Sequence, residues 1–367
     1  MLMTTMTDWN DAAHLLCVQL GSPGDVLACT PSLRALRAQC PGRRVTLLAS
    51  PAGAALGLYL PDIDAVLAYE APWMQRSAAA SAATHLESIA RLATQRFDGA
   101  VIFTCYRQSA LPAALLCQLA GIPLRAAYCR ENPSGLLTHW IADPEPGAMV
   151  RHPVQRQLDL VRRLGAETAD ERLAFVPLEK DMAAIRTRLR AAGIDPAGRW
   201  LALHPGAGPK ARRYPRRHWS TLIHTLRERI GCPLVLTGSA PDMTLIDATD
   251  IAPGARVHSL AGQLDIGELG ALLAQASLVL STDTGTAQLA AAVDTPVVSL
   301  QALTDVQDTP WRVPGRVLNG DVECCDCQHG VCHHGCMEKL APARIVDAVC
   351  SLLKQTEAYR VRDAAFE

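Results

Sequence analysis

The 367-residue sequence predicts two α/β domains in tandem, each built on a parallel sheet, with a cleft between them. Short apolar runs alternate with longer amphipathic stretches, a pattern typical of βαβ units. The pattern restarts after a polar stretch, Glu167–Lys180. The length suits two domains, since a domain usually contains about 100–200 residues. Clefts between such domains are frequent ligand sites, so the fold class favours a binding or catalytic function.

The first domain is predicted over residues 14–175, after an N-terminal tail of residues 1–13. Its strands are the short aliphatic runs, and its helices are the longer stretches in which apolar residues recur every three or four positions. The predicted strands are His14–Leu20, Arg44–Ala49, Ala65–Tyr69, Gly99–Thr104 and Leu124–Tyr128, and the predicted helices are Val26–Gln39, Ser81–Gln95, Ala110–Ala120 and Val154–Leu164.

The second domain is predicted over residues 176–354, and a C-terminal tail covers residues 355–367. The same alternation of strand-length and helix-length segments identifies its elements. The predicted strands are Trp200–His204, Pro233–Thr237, Ser277–Leu280 and Pro296–Leu300, and the predicted helices are Asp181–Ala192, Arg217–Arg229, Asp265–Gln275, Gly285–Val293 and Ala341–Leu353.

Composition and charge exclude several function classes. The formal net charge is −1, so there is no basic surplus of the kind that indicates nucleic-acid binding. No apolar run reaches the roughly 18–20 residues that span a bilayer, and residues 1–13 lack the order of a signal peptide. We therefore expect a cytoplasmic protein with no nucleic-acid partner and at most a peripheral membrane contact.

Glycine-containing turns connect strands to helices at three places. The first, Gly21-Ser22-Pro23-Gly24-Asp25, opens the first predicted helix. Backbone N–H groups at a helix N-terminus attract anions, and glycine lets a ligand approach closely. The alternative is that Asp25 only caps the helix.

The other two turns lie in the second domain. His204-Pro205-Gly206-Ala207-Gly208 runs into four basic residues that include Arg212, which suits a pyrophosphate, although a solvated basic loop is the alternative. The stretch 281–288 contains hydroxyl residues and Gly285, which leave the next helix N-terminus open to a phosphate. An ordinary capped turn is the alternative there.

Four stretches of the sequence resemble glycosyltransferase family 9, the ADP-heptose:lipopolysaccharide heptosyltransferases. They are "GSPGDVLACTPSLRALR" at 21–37, "HPGAGPKARRYPRRHW" at 204–219, "LVLTGSAPD" at 234–242 and "LAGQLDIGELGALLAQASLVLSTDTGTAQLAAAVDTPVVSL" at 260–300. The resemblance implies the GT-B fold, two Rossmann-like domains facing across a cleft. It also implies inversion at the anomeric carbon without an essential metal cofactor, an ADP-heptose-like donor and a lipopolysaccharide-core or other glycan acceptor.

The resemblance also assigns roles to individual residues. Asp25 matches the proposed catalytic base, in an N-terminal acceptor domain, and Arg107 lies near the acceptor-side segment. Gln288 stands where many members carry histidine. The donor-binding residues implied in this way are Gly24, Gly206, Ala207, Arg212, Asp283, Thr284, Gly285, Thr286 and Gln288.

Three alternatives to this function stay open from the sequence. A metal-dependent transferase would need an Asp-x-Asp string, and Asp62-Ile63-Asp64 has that form, although it reads as a turn before a short strand. A nucleotide-sugar epimerase can share two Rossmann-like domains. A non-catalytic nucleotide-binding module is the third alternative.

A cluster of cysteines lies near the C-terminus. Cys324, Cys327, Cys332 and Cys336 have the close spacing that a tetrahedral metal site needs. Disulfides are rare inside cells, so the sequence favours a structural zinc or iron ion, with reduced thiols or a disulfide pair as alternatives. The other cysteines are mostly scattered through apolar segments, as expected of small buried side chains.

Overall fold

The computed structural model describes residues 8–74, 81–206, 213–245, 256–282, 285–301, 309–320 and 335–363, without the side chains of 243–245 and 357–363. The chain forms two compact units, Met1–Ala174 and Phe175–Glu367. Each unit contains one six-stranded parallel sheet with helices on its faces. The predicted fold class, two Rossmann-like α/β domains, is confirmed.

The sheet of the first unit has the order β3-β2-β1-β4-β5-β6. Every residue of the first strand is buried, because that strand lies at the centre of the sheet and helices cover both faces. The strands are β1 (His14–Gln19), β2 (Arg44–Ala49), β3 (Ala65–Ala68), β4 (Gly99–Ile102), β5 (Leu124–Cys129) and β6 (His139–Ala142).

Helices α1 and α5 pack against each other, as do α3 and α4. One apolar core lies between the sheet and the second pair and includes Leu16, Ile102 and Ala114. The helices are α1 (Pro23–Gln39), α2 (Pro51–Ala54), α3 (Ala82–Thr94), α4 (Leu111–Leu119) and α5 (Pro153–Arg162), and a 3₁₀ turn covers Gly57–Tyr59.

Helix α1 continues through a proline. Pro31 has no N–H to donate to the carbonyl of Leu27, which would weaken a helix interior. The hydroxyl of Thr30 donates to that carbonyl instead, at 2.7 Å, so the buried oxygen remains hydrogen-bonded.

The second sheet repeats the strand order of the first. Its order is β12-β11-β10-β7-β8-β9, which reads from the opposite edge as third, second, first, fourth, fifth and sixth strand of the unit. All strands are parallel, and the strand order changes side between β7 and β10, as it does between β1 and β4 in the first unit. The strands are β7 (Leu201–His204), β8 (Leu234–Leu236), β9 (Val257–Ser259), β10 (Leu278–Thr282), β11 (Val297–Leu300) and β12 (Gly315–Leu318).

Helices α7 and α11 pack together over a core that includes Trp219, Met337 and Leu340. The hydroxyl of Tyr214 donates to the carbonyl of Leu340 at 2.9 Å, which joins the start of α7 to the segment before α11. The helices are α6 (Glu179–Ala191), α7 (Arg216–Ile230), α8 (Ile266–Gln275), α9 (Gly285–Ala292), α10 (Cys336–Lys339) and α11 (Pro342–Asp363), with a 3₁₀ turn at Ala240–Leu245.

Consecutive residues at the unit boundary are bonded to different units. The Ala174 N–H donates to the Thr30 hydroxyl at 3.0 Å, and the Phe175 N–H donates to the Ala292 carbonyl at 3.2 Å. The Phe175 ring lies so close to Gly270 of α8 that a Cβ on this glycine would meet it at 2.1 Å. Ala174 is thus bonded within the first unit and Phe175 within the second.

Three strands were absent from the sequence-based assignment: β6, β9 and β12. Each is an edge strand of three or four residues with incomplete burial, so none has the apolar run that identifies a central strand. Within the residues described, no helix combines the length and the hydropathy needed to cross a membrane.

Candidate active site

The first predicted turn forms the N-terminus of α1. Ser22 is the N-cap, Pro23 is the first helical residue and Asp25 occupies the third position. The carboxylate Oδ2 of Asp25 accepts from both the N–H and the hydroxyl of Ser22, at 2.7 Å each, and the Ser22 hydroxyl accepts from the Asp25 N–H at 3.3 Å. This reciprocal capping box fixes the carboxylate against the helix end.

The capping box does not use the whole carboxylate. No described residue donates a hydrogen bond to Oδ1 of Asp25, whereas both bonds from Ser22 go to Oδ2. Gly21 is required beside it, because a Cβ there would lie 2.5 Å from Oδ2. The structure therefore shows the helix-capping interaction of Asp25, and Oδ1 of the same carboxylate has no described hydrogen-bond donor.

Asp25 lines a pocket of about 330 Å³ in the first unit. The pocket lies beyond the carboxyl ends of β1 to β4, next to the point between β1 and β4 where the strand order reverses, which is where α/β sheets usually bind ligands. It is lined by Leu20, Gly21, Ser22, Asp25, Ser50, Pro51, Tyr69, Glu70, Ala71, Met74 and Gln108.

Four polar pocket residues were not identified from the sequence: Ser50, Tyr69, Glu70 and Gln108. The Ser50 hydroxyl caps α2 and donates to the Gly21 carbonyl at 2.7 Å, so the end of β2 supports the turn after β1. Each of the four follows the carboxyl end of a strand. That position in the sequence could have identified them as candidate pocket residues.

Gly24 is the second residue of α1 and is half-buried. Arg107 lies in the turn after β4 but does not line the pocket, unlike its neighbour Gln108. Its side chain is exposed, with Nε donating to the Tyr106 hydroxyl at 3.0 Å and the guanidinium packed 5.2 Å from the Tyr106 ring centroid.

The Asp62-Ile63-Asp64 string is a turn that holds two arginines. Asp64 accepts a bidentate pair from Arg37, at 2.9 and 3.1 Å, and a bond from the Val45 N–H at 2.8 Å. Asp62 pairs with Arg34 at 3.3 Å. Both carboxylates serve this structure, which is how the string was interpreted from the sequence.

The second and third turns meet at the strand-order reversal of the second sheet, between β7 and β10. The Thr282 hydroxyl at the end of β10 donates to the carbonyl of Gly206, just after β7. Gly206 is buried, and a Cβ there would lie 2.5 Å from the Asp242 carboxylate. Ala207, Arg212, Asp283 and Thr284 lie outside the described residues.

Of the remaining predicted donor residues, Gly285 begins α9 and Thr286 is buried beside it. The Gln288 amide donates to the Thr309 carbonyl at 3.0 Å, a bond that ties α9 to the chain beyond β11. Asp242, which the sequence did not single out, accepts from the Ser239 N–H and hydroxyl at 2.8 and 2.6 Å. This repeats the pattern of Ser22 and Asp25 after a different strand.

Among the predicted cysteine ligands, Cys336 is buried at the start of α10. Cys324, Cys327 and Cys332 belong to the part of the chain that the structure leaves undescribed. Within the described part, no three His, Cys, Asp or Glu side chains are grouped as a metal site.

His204 provides a pH-dependent prediction for the second unit. Its Nδ1 lies 3.0 Å from the Thr237 hydroxyl, and burial lowers its pKa to about 4, against the opposing effect of the Asp242 charge. In the unfolded chain the pKa is about 6.5, so the unfolded state binds an extra proton between these values. We expect the free energy of unfolding to fall by on the order of 2 kcal/mol as the pH decreases from 7 to 4.

Denaturant titrations of wild type and His204→Asn at pH 7 and pH 4.5 measure this effect. Asparagine keeps a donor for Thr237 and does not titrate. We expect the variant to lose less stability than wild type over this range. Equal losses would contradict the prediction.

Two Rossmann-like sheets, each with small-residue turns at its strand-order reversal, define the class of α/β proteins that bind ligands at the carboxyl ends of their strands. The chain belongs to glycosyltransferase family 9 (heptosyltransferase), whose family model matches residues 88–338, more than half of the sequence. It is therefore a glycosyltransferase.

Individual relatives agree with this assignment. The chain is 26% identical over 297 residues to lipopolysaccharide heptosyltransferase 3 of Escherichia coli, covering 78% of this chain and 83% of the relative. The fold matches that of E. coli ADP-heptose lipopolysaccharide heptosyltransferase II with a TM-score of 0.73 and 21% identity, over 94% and 99% of the two chains. It also matches E. coli heptosyltransferase WaaC, solved with ADP-2-deoxy-2-fluoro heptose, with a TM-score of 0.68 and 19% identity, over 94% and 99%.

Proposed function

We propose that this enzyme transfers a heptose from ADP-heptose to a hydroxyl of a lipopolysaccharide-core or related glycan acceptor, with inversion at the anomeric carbon. The family assignment supports the reaction class, and the relatives named for heptose transfer support the sugar and the acceptor. The observation that carries the proposal in this chain is the Asp25 carboxylate, held at a helix end with one oxygen directed to no described partner, in a pocket at the strand-order reversal.

In the proposed mechanism Asp25 is the general base. Its Oδ1 takes the proton of the acceptor hydroxyl as the hydroxyl oxygen forms a bond to the anomeric carbon of the donor. The bond from that carbon to the diphosphate oxygen breaks, and ADP leaves with the electron pair. The bonds from Ser22 to Oδ2 hold the carboxylate of Asp25 at the N-terminus of α1, with Oδ1 turned to the acceptor in this proposal.

The leaving group is stabilised in this proposal by the second unit. Arg212 neutralises the diphosphate, backbone N–H groups at the start of α9 bind it, and Asp283 contacts the sugar. These groups take the role that a metal ion has in other transferases, so we propose catalysis without a cofactor. The first unit is accordingly the acceptor domain and the second the donor domain.

We further propose that Cys324, Cys327, Cys332 and Cys336 bind one structural zinc or iron ion. The described residues on either side of the cluster support this, because they bring its ends together. A Cβ on Gly320 would lie only 2.0 Å from the Cys336 carbonyl oxygen, so the chain leaves and returns at one place. Four thiols within thirteen residues of sequence suit tetrahedral coordination.

The substrates suggest where the enzyme works. The proposed donor is a water-soluble nucleotide sugar, and a lipopolysaccharide-core acceptor has a lipid end. We therefore place the enzyme in the cytoplasm, with a peripheral contact at the inner face of the cytoplasmic membrane.

Transfer of labelled heptose from ADP-heptose to a purified core acceptor tests the proposed function. An epimerase would change the nucleotide sugar with no acceptor present, and a binding module would neither transfer nor convert it. A parallel thermal screen with other nucleotide sugars identifies the donor, because a ligand at 100 times its Kd stabilises the folded state by about 2.7 kcal/mol. Absence of transfer with every acceptor, despite donor binding, would overturn the proposal.

The donor site itself gives a quantitative prediction. We expect Arg212→Ala and Asp283→Ala each to weaken donor binding about 10- to 150-fold, since charge-assisted hydrogen bonds contribute about 1.5–3 kcal/mol. Titration calorimetry with ADP-heptose measures the change. Arg190→Ala is the control, because this exposed arginine lies on α6 of the same unit. Unchanged affinity in both variants would remove these residues from the donor site.

A further inference from the structure

Two side chains of α5 hold a single backbone carbonyl beyond β4. The oxygen of Thr104 accepts from Nε of Arg156 at 2.8 Å and from Nε2 of Gln157 at 3.1 Å. Both residues are buried, with an exposed fraction of 1% for Arg156 and 2% for Gln157. A carbonyl oxygen has two lone pairs, so these bonds use its full capacity and fix the orientation of the peptide that leads to Cys105.

The guanidinium of Arg156 is itself held in one geometry. It donates to both carboxylate oxygens of Asp143, at 2.7 and 2.8 Å, and to Glu145, and it lies over the Tyr128 ring at 4.8 Å. Burial opposes the charge of Arg156, but the hydrogen bonds from it to the two carboxylates raise its pKa above the ordinary value. The planar fork of arginine makes this set of bonds, and lysine does not reproduce it.

The carbonyl of Thr104 is followed at once by a short turn beside Asp25. The turn closes through the Gln108 N–H, which donates to the Cys105 carbonyl at 3.0 Å, and through the Cys105 N–H, which donates to the Gln108 side chain at 3.3 Å. Gln108 lines the same pocket as Asp25. The pKa of Cys105 is raised by burial and, to a smaller extent, by the negative charge of Asp25, which agrees with their proximity.

We propose that Arg156 and Gln157 are positioning residues of the transferase: by holding the Thr104 carbonyl, they set the position of Gln108 relative to Asp25 and so the pose of the acceptor hydroxyl. This inference rests on the proposed function of the pocket. Neither residue lines the pocket. Their effect is on acceptor binding and on alignment with the base, because misplacement of a reacting group by about 1 Å can reduce a rate about 100-fold.

Two variants separate positioning from stability. Gln157→Met has a side chain of similar size that is compatible with burial, and it removes one hydrogen bond to the Thr104 carbonyl. The ion pairs of Arg156 with Asp143 and Glu145 remain. Arg156→Lys keeps the positive charge beside Asp143 and Glu145 and removes the Nε–H bond and the fork. The control is Arg162→Gln, on the same helix, since Arg162 pairs with Asp159 and Glu171 at 2.8 and 2.7 Å and makes no bond to Thr104.

The first measurement is steady-state transfer together with ADP affinity. We expect the KM for the acceptor to rise about 3- to 10-fold in Gln157→Met and more in Arg156→Lys, with kcat reduced and the Kd for ADP unchanged. The control keeps wild-type values. An unchanged acceptor KM in both folded variants would overturn the inference, whereas absence of heptose transfer by wild type would overturn the proposed function.

The second measurement does not depend on activity. Hydrogen exchange of a peptide covering residues 103–110 reports on the turn directly. We expect exchange at least about 10-fold faster in Gln157→Met than in wild type, and wild-type exchange in Arg162→Gln. Unchanged exchange in Gln157→Met would overturn the inference, whichever substrates the enzyme uses.

Discussion

Replacement of Asp25 by asparagine reduces kcat about 10²- to 10⁴-fold, with the fold and donor affinity retained, if Asp25 is the general base. The reason is that an amide oxygen still accepts the hydrogen bonds from Ser22 but does not take a proton from a hydroxyl. Helix α1 therefore keeps its cap, and only the chemistry is lost. The measurement is the transfer rate at saturating donor and acceptor, with the melting temperature as the test of folding.

The matched control for this variant is Ser22→Ala. It removes the hydroxyl that bonds to Oδ2 while the carboxylate remains. Loss of an N-cap destabilises a helix by about 0.5–2 kcal/mol, so we expect a lower melting temperature and at most a few-fold change in kcat. If Asp25→Asn retains more than about a third of the wild-type rate, the base is a different residue.

The second large effect concerns the cysteine cluster. We expect one zinc or iron ion per chain in protein purified without chelator. Cys327→Ser combined with Cys332→Ser should abolish metal binding and lower the melting temperature, because metal-binding energy contributes directly to folding. Donor affinity of the folded variant should stay near that of wild type, since the cluster lies beyond the proposed donor turn.

The described residues next to the cluster indicate which part of the fold would lose stability without the metal. Met337 and Leu340, just after Cys336, belong to the core beneath α7 and α11. Glu338 pairs with Arg217 of α7. Without the metal we therefore expect the packing of α10 against α7 to loosen.

Elemental analysis and thermal denaturation test this prediction, with Cys40→Ser combined with Cys350→Ser as the control pair of half-buried cysteines. Less than about 0.2 equivalents of zinc plus iron, with titratable thiols, would refute the metal site. A mass showing two disulfides would refute both the site and the reducing compartment proposed for the enzyme.

The sequence was sufficient for the central strands and for one edge strand, β3, and it missed the other three edge strands. β1 has six buried residues, and its run of apolar residues predicts a buried strand. β9 and β12 have three or four residues each, and their positions depend on pairing with β8 and β11 rather than on a local pattern. These short edge strands depend on partners distant in sequence, and their local pattern did not identify them.

The same distinction applies to the candidate site. The turn containing Asp25 was visible because glycine, proline and a capping residue are local signals. Gln108 and Ser50 reach the pocket only because the sheet brings the ends of β4 and β2 beside β1. The hydrogen bonds from Arg156 and Gln157 to the Thr104 carbonyl come from α5, about fifty residues further along the chain, and no short motif predicts them.

The bonding of Ala174 and Phe175 has a consequence for how such enzymes diversify. Each residue is anchored within its own unit, so a recombination event between codons 174 and 175 would exchange one complete unit and leave the hydrogen bonds within both intact. The Phe175 ring packs against Gly270 of the same unit, so this contact would move with the second half. This peptide bond is therefore the place where a hybrid of two related chains would keep the described backbone bonds of both Ala174 and Phe175.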